Sequence, residues 1–363
     1  MVFGLRFDMR APAIGAPAAD LYSAALEMAA WAESRGAVNV TVCEHHASDD
    51  GYCPSPMVLA TALAARTTTL RITVAVVVLP LYDPIRLAEE MAVLDQISRG
   101  RVLYVAAIGY RPIEYEQFGI DFHQRGAMVE DKLALLLRAK SGEPFEHEGR
   151  RVHVTPQPFT PGGPMVAYGG GTVVAARRAG RHGVGFFAQR GGPELQEAYE
   201  QAARAAGHEP GFCYLPPPDL PTTTFVAHDV DRAWDELGPH MLYDAQAYAA
   251  WNEGDDTTSS LSFASNVEQL RAESRSHRII SVDEAALLRV LTETPTRTAL
   301  LDVLTDERNA EKSPLYRLPN CIVSPHIAGS AGRETHRMAD RMLDAYENYL
   351  RGEKDADEIT PDM

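Results

Sequence analysis

Eight apolar, β-rich runs recur along this chain with helix-patterned stretches between them, and that alternation constrains the fold more than any other feature. The runs are Val2–Asp8, Val38–Cys43, Leu70–Leu79, Arg101–Ile108, Met165–Tyr168, Val184–Ala188, Thr222–Ala227 and His277–Val282. Between them, Asp20–Ser34 places Leu21, Ala25, Met28, Ala29 and Ala32 at helical spacing, and Pro84–Gln96 opens with proline in its first turn. Strand alternating with helix implies parallel pairing, and eight such units close as a (β/α)8 barrel. An open doubly wound sheet uses the same alternation, but its dinucleotide-binding form needs GxGxxG after an early strand, and no such motif follows one here. The expected fold is therefore α/β, a TIM-type barrel with insertions. Glu143–Val154, with its EGRRV core, reads as a hairpin-like excursion between the fourth and fifth strands, and Pro216–Pro221 as a stiff loop before the seventh.

Charge narrows the partners. Fifty acidic against 34 basic residues give a formal charge of −16, which disfavours nucleic acid or an anionic membrane as the main partner. An anionic cofactor would need a local positive site. Cys43, Cys53, Cys213 and Cys321 show neither CxxC nor zinc spacing, which suits free thiols in a reducing cytoplasm. The chain starts on a strand-like segment without a signal-peptide pattern, and its longest apolar run, Ile72 to Leu81, is too short to span a bilayer. A soluble, cytoplasmic protein is expected.

The second run ends in a cluster of titratable residues: Glu44, His45, His46, Asp49 and Asp50. The carboxyl ends of barrel strands are where side chains converge on a ligand. A histidine there can act as acid or base near neutral pH, and adjacent histidines can equally be hydrogen-bonded structural groups. Strand alternation puts Glu44 and His46 on one face and His45 on the other. A shared metal is not expected, because neighbouring residues point apart and no third ligand has suitable spacing. Farther along, Gly169-Gly170-Gly171-Thr172 precedes VVAARRAGRHG as a strand, glycine turn and helix. Such a helix start can hold a phosphate, although a plain glycine turn would look the same. Within Gly238–Ser265, Tyr243, Tyr248 and Trp251 fit either a substrate-facing segment or core.

Three motifs in order, EHHASDDGYCPSPMVLATALAARTTTLRI, VVVLPLYDPIRLAEEMAVLDQISRGR and GYRPIEYEQFGIDFHQRG, resemble the luciferase-like monooxygenases over about residues 1–283. The resemblance implies a flavin-dependent barrel enzyme that uses reduced FMN and oxygen on a small organic substrate, with a deazaflavin as the alternative coenzyme. It also implies a separate flavin reductase and a homodimer. His45 matches the family's catalytic histidine, with Glu44 and His46 as flanking catalytic candidates. Ala75–Val76 matches a non-proline cis peptide that supports the flavin ring; from the residues alone it is a buried strand. Gly170, Gly171 and Thr172 match the place of the FMN phosphate, and Arg125 a commonly basic position beside it. One departure stands out: the family's fourth strand usually ends in alternating glycines, whereas this chain has Val105-Ala106-Ala107-Ile108-Gly109. The added methyl groups would narrow a cofactor pocket.

From about residue 284 to 363 the pattern changes. SVDEAALLRVL, ALLDVLTDE and SPLYRLPNCIVSPHIAGSAGRETHRMADRML resemble the carboxyl-terminal end of D-2-hydroxyacid dehydrogenases, with Arg278, Glu307 and His326 matching their substrate-binding and proton-transfer positions. The fingerprint that would hold a nicotinamide cofactor is missing, so a working dehydrogenase is not expected. The junction falls within about 270–290, and the chain reads as a fusion with an atypical extension. Glu334–Leu350 reads as a last helix, and GEKDADEITPDM as a disordered end. A third reading, a non-catalytic flavin-binding or inactive fusion protein, follows from the altered fourth strand and the foreign tail.

Overall fold

The computed structural model describes residues 3–216, 223–252, 261–293, 299–301, 313–318 and 321–323. It divides into two compact units, one of residues 2–224 and 234–278, the other of Met1, 225–233 and 279–363. In the larger unit the strands are β1 (Gly4–Phe7), β2 (Asn39–Val42), β3 (Arg71–Val78), β4 (Val102–Ala107), the hairpin β5 (Phe145–His147) and β6 (Arg150–Val152), β7 (Met165–Gly170), β8 (Gly185–Ala188) and β9 (Cys213–Tyr214). Seven form one parallel sheet in the order β1-β2-β3-β4-β7-β8-β9, the curled half-barrel of an α/β fold. The helices between them are α1 (Ala18–Ser34), α2 (Pro56–Arg66), α3 (Pro84–Ser98), α4 (Pro112–Gln117), α5 (Arg125–Ala139), α6 (Val173–Arg181) and α7 (Pro193–Ala205).

All eight expected runs contain strands. Six lie in the parallel sheet, whose seventh member is the two-residue β9. The last two, β10 (Thr223–Ala227) and β11 (His277–Ser281), pair with each other instead. Between them lie α8 (Val230–Trp251) and α9 (Val267–Glu273). The EGRRV segment is the antiparallel hairpin β5–β6, set between the fourth and fifth strands of the sheet. Pro217–Pro221 lies outside the described residues.

Local chemistry explains several of these elements. Asp83 caps α3 by accepting from the Ile85 and Arg86 amides at 2.9 Å, just ahead of the proline that opens the helix. Ala25, Ala29 and Ala32 of α1 are buried as their spacing predicts, but Met28, from the same set, is 49% exposed. It lies at the edge of the apolar stripe. Gly180 sits where α6 crosses α7; a Cβ there would lie 2.4 Å from the Tyr199 carbonyl, so only glycine permits this approach.

Glu33, at the end of α1, accepts from the amides of Thr68, Thr69 and Leu70 at 2.9, 2.6 and 2.7 Å, tying the helix to the start of β3. Burial alone would raise its carboxyl, but these amides outweigh it and hold the group at about 2. Glu33→Ala is expected to destabilise the protein by about 1–3 kcal/mol, because it leaves those donors unpaired. Urea unfolding would check this; a loss below about 0.5 kcal/mol would show that water replaces the carboxylate at no cost.

In the smaller unit, α10 (Val282–Glu293) begins where SVDEAALLRVL reads as helix, and the Ser281 hydroxyl accepts from the Glu284 amide at 3.0 Å. Ser313 donates to the Glu284 carboxylate, and β12 (Ala299–Leu301) pairs in parallel with β13 (Cys321–Val323). Glu307, His326, the expected last helix and the polar end lie outside the described residues. No helix among the described residues is long and apolar enough to cross a membrane.

Candidate active site

The cluster after β2 folds as its alternation predicts. Glu44, His45 and His46 are all buried, and a left-handed turn at Ala47 ends the segment. Glu44 Oε1 meets His46 Nε2 at 2.8 Å, and its other oxygen accepts from the Val78 amide at 3.2 Å, locking the end of β2 to the end of β3. Tyr82 also bonds this carboxylate, yet burial still pushes the Glu44 carboxyl upward. His45 points the other way.

Its partner comes from the turn after β4. Arg111 and Pro112 open α4, and one turn later Glu114 is wholly buried. Glu114 Oε1 lies 2.7 Å from His45 Nδ1, accepts from the His46 amide at 3.0 Å and from Arg111 Nη1 at 3.2 Å. Arg111 Nη1 also donates to the His46 carbonyl at 2.7 Å. Burial would raise the Glu114 carboxyl, but His45, the amide and Arg111 together lower it, so this group is a carboxylate. For His45, burial is the largest influence and pushes the imidazolium down; Glu114 opposes it without cancelling it. The ring is thus neutral near pH 7. A carboxylate on Nδ1 fixes the proton there and leaves Nε2 as an acceptor, which meets the Tyr110 hydroxyl at 3.2 Å.

Aromatic rings surround this imidazole. Tyr52 lies edge-on at 4.8 Å between centroids and Trp251 tilted at 4.9 Å, while the Arg111 guanidinium stacks 4.1 Å above the Trp251 ring. Tyr248, one turn before Trp251 on α8, shares a 2.7 Å hydrogen bond with Tyr52 and accepts from Arg6 at 2.5 Å.

A second cluster lies across β3 and β4. The Ala75–Val76 peptide is cis, and the β3–β4 register slips by one residue there. Both residues are half-buried between buried neighbours. At the end of β7, a Cβ on Gly169 would meet Val105 at 2.9 Å and Val76 at 3.4 Å, so the two valines press on a backbone that has no room for a side chain. Gly170 has φ +155°, and Thr172 caps α6 by accepting from the Ala175 amide at 3.2 Å. Arg190 Nε donates to the Gly171 carbonyl at 2.8 Å. Arg125, at the first residue of α5, stacks 3.6 Å over Phe122, and its Nε is buried without a hydrogen-bond partner.

The luciferase-like monooxygenase family model matches residues 1–300. The chain belongs to that family. A second model, the NAD-binding domain of D-isomer-specific 2-hydroxyacid dehydrogenases, matches residues 278–328 and so overlaps the first across the expected junction. Among curated luciferase-like relatives, the oxygenase component of the flavin-dependent trigonelline monooxygenase of Acinetobacter baylyi is 28% identical over 205 residues, 53% of this chain and 54% of that protein. The alkanal monooxygenase alpha chain of Photorhabdus luminescens is 26% identical over 187 residues, 49% and 52% respectively. The chain spans about half the length of these two relatives. In fold it resembles the oxygenating constituent of 3,6-diketocamphane monooxygenase from Pseudomonas putida, solved with FMN, with a TM-score of 0.60 and 20% identity over 81% of this chain and 87% of that one.

Within this luciferase-like barrel, His45 stands with Glu44 and His46 at the carboxyl end of β2, while Gly170, Gly171 and Thr172 stand at that of β7. The sheet order sets β3 and β4 between them. Sequence reasoning passed over Glu114, Arg111, Tyr110 and Tyr52 as members of the site. The available signal was an acid placed three residues after Arg111 in the GYRPIEYEQF turn. Arg278 of the tail motif is buried and donates to the Ser274 hydroxyl at 2.9 Å.

Proposed function

We propose that this chain is the oxygenase of a reduced-flavin monooxygenase, acting on a small organic substrate with His45 as its acid–base group and a separate reductase supplying the flavin. The observation that carries the reading is the Glu114–His45–Tyr110 array, a neutral imidazole oriented by a buried carboxylate with its Nε2 turned to a hydroxyl. Support also comes from the FMN held by the diketocamphane enzyme and from the flavin dependence named for the trigonelline enzyme.

The second cluster fits a flavin phosphate and ring. The α6 start with Thr172, Arg190 on the Gly171 carbonyl, and Arg125 with its unpaired buried Nε would supply the cationic and hydrogen-bonding groups that a chain of charge −16 needs for an anion. The half-buried backbone at Ala75–Val76, facing Gly169, gives a flat contact surface for a ring. Bound reduced FMN would supply the electron pair that activates oxygen. His45 Nε2 takes or returns a proton at the reacting centre. Glu114 holds Nδ1 and stabilises the charge that appears on the imidazole when Nε2 is protonated. Tyr110 steers the same nitrogen and relays the proton. Burial of this array excludes water from the transfer. Glu44 and His46 position the segment, since their polar atoms are bound to each other and to β3.

Fluorescence titration with FMN, reduced FMN and the deazaflavin tests the assignment. Reduced FMN should bind, with Arg125→Ala weakening it by about tenfold, or about 1.4 kcal/mol. Preference for the deazaflavin would move the reaction to two-electron chemistry without oxygen. Binding of no flavin would leave the fusion reading, in which the methyl groups at the end of β4 have closed the pocket.

A further inference from the structure

Trp251 occupies a place that the proposed chemistry needs. Its ring centroid is 4.9 Å from that of His45, 5.8 Å from that of Tyr52, and lies under the Arg111 guanidinium at 4.1 Å. The histidine that must reach substrate is buried beneath it, and the following residue, Asn252, bonds Tyr110, the group on His45 Nε2. Arg111 already gives its Nη1 hydrogen bonds to Glu114 and the His46 carbonyl, so what it offers outward is the flat face that the indole covers.

From this geometry we infer that Trp251 is an internal plug, seated in a substrate subsite whose other walls are His45, Tyr52 and Arg111, and that the substrate is a planar aromatic molecule that takes the indole's place. The inference rests on the proposed oxygenase reading for the role of His45. Every wall suits a ring: tilted aromatic contacts from His45 at 4.9 Å and Tyr52 at 5.8 Å and a cationic face from Arg111. A flexible aliphatic chain would recover none of the cation–π attraction lost when the indole leaves. The plug is carried at the end of α8, which has Pro239 inside it directly after Gly238, a break in the helical hydrogen bonding twelve residues before Trp251. The Tyr248 hydroxyl, bonded to Tyr52 and Arg6, latches the same turn.

The test uses the full chain labelled with 5-fluorotryptophan, whose three tryptophans give three fluorine signals, with Trp251→Phe identifying the one of interest. Indole is the aromatic probe and decanal the aliphatic one. Saturating indole should move the Trp251 signal to its solvent-exposed position, and decanal should not. Trp251→Ala should bind indole about tenfold more tightly, as expected if the plugged state holds roughly nine-tenths of the population. Indole binding with the Trp251 signal unmoved, equal displacement by decanal, weaker indole binding by Trp251→Ala, or no indole binding to either chain would each overturn the inference. Flavin binding is read separately: a chain that exchanges Trp251 for indole but binds no flavin keeps the plug and loses the oxygenase reading. One that turns over reduced flavin with Trp251 fixed in place does the reverse.

Discussion

His45→Asn is expected to lower turnover by about 10²–10⁴-fold while flavin affinity stays within about twofold, because asparagine keeps a polar group in the site but cannot carry the proton. The flavin-binding candidates at the end of β7 lie across β3 and β4 from His45, so the substitution leaves them in place. Glu114→Gln is the informative companion. It preserves shape but removes the charge that favours imidazolium, so kcat should fall more than KM rises. The acid limb of the kcat/KM profile should move to lower pH, because Glu114 raises the His45 value against the larger lowering effect of burial. Oxygen uptake with reduced FMN as the varied substrate would give the rates, and nitrogen NMR at pH 7 should show a neutral His45 with its proton on Nδ1. Turnover by His45→Asn within a few-fold of the parent would remove histidine from the chemistry.

The strands of the half-barrel were legible because each needs an uninterrupted apolar run, and each run lies close to its strand. β9 was not, since two residues carry no periodicity, and its place in the sheet comes from hydrogen bonds to β8. Nor does a run's composition name its neighbour: β10 and β11 look like barrel strands and pair with each other. In the site, alternation placed Glu44 with His46 and His45 apart, which is a local property of an extended chain. Glu114 lies 69 residues from His45, and in sequence it is an ordinary acid in a helix's first turn, where an exposed residue would look the same. Tyr248 and Trp251 are three apart and share a face of α8, but which surface that face meets is decided by tertiary packing.

Acid should destabilise the larger unit through His277 as the pH falls below about 6.5. His277 is 2% exposed; its Nε2 lies 2.7 Å from Asp244, and its Nδ1 lies 2.8 Å from the Ser276 hydroxyl, the pattern of a neutral ring donating on one side and accepting on the other. Burial, with help from Arg6 and Arg10, lowers it to about 4. A histidine held neutral in the native state gains its proton on unfolding, so stability is complete above about pH 6.5 and falls as the pH drops toward 4. The full loss is about 3 kcal/mol, of which about 2 kcal/mol appears by pH 5, at about 1.4 kcal/mol per pH unit. Glu33 and Glu130, both held at about 2, act only as the pH falls through and below the ordinary carboxylate range, while Glu44, pushed upward by burial, adds a slope of opposite sign that parent and variant share. His45, also lowered, adds a slope of the same sign as that of His277. Urea unfolding of the parent and of His277→Asn at pH 7 and 5 separates the two. The variant should lose the His277 share of the pH dependence, leaving a curve flatter by about 2 kcal/mol across that interval. Equal slopes would mean that His277 is already charged in the folded protein, paired as an imidazolium with Asp244.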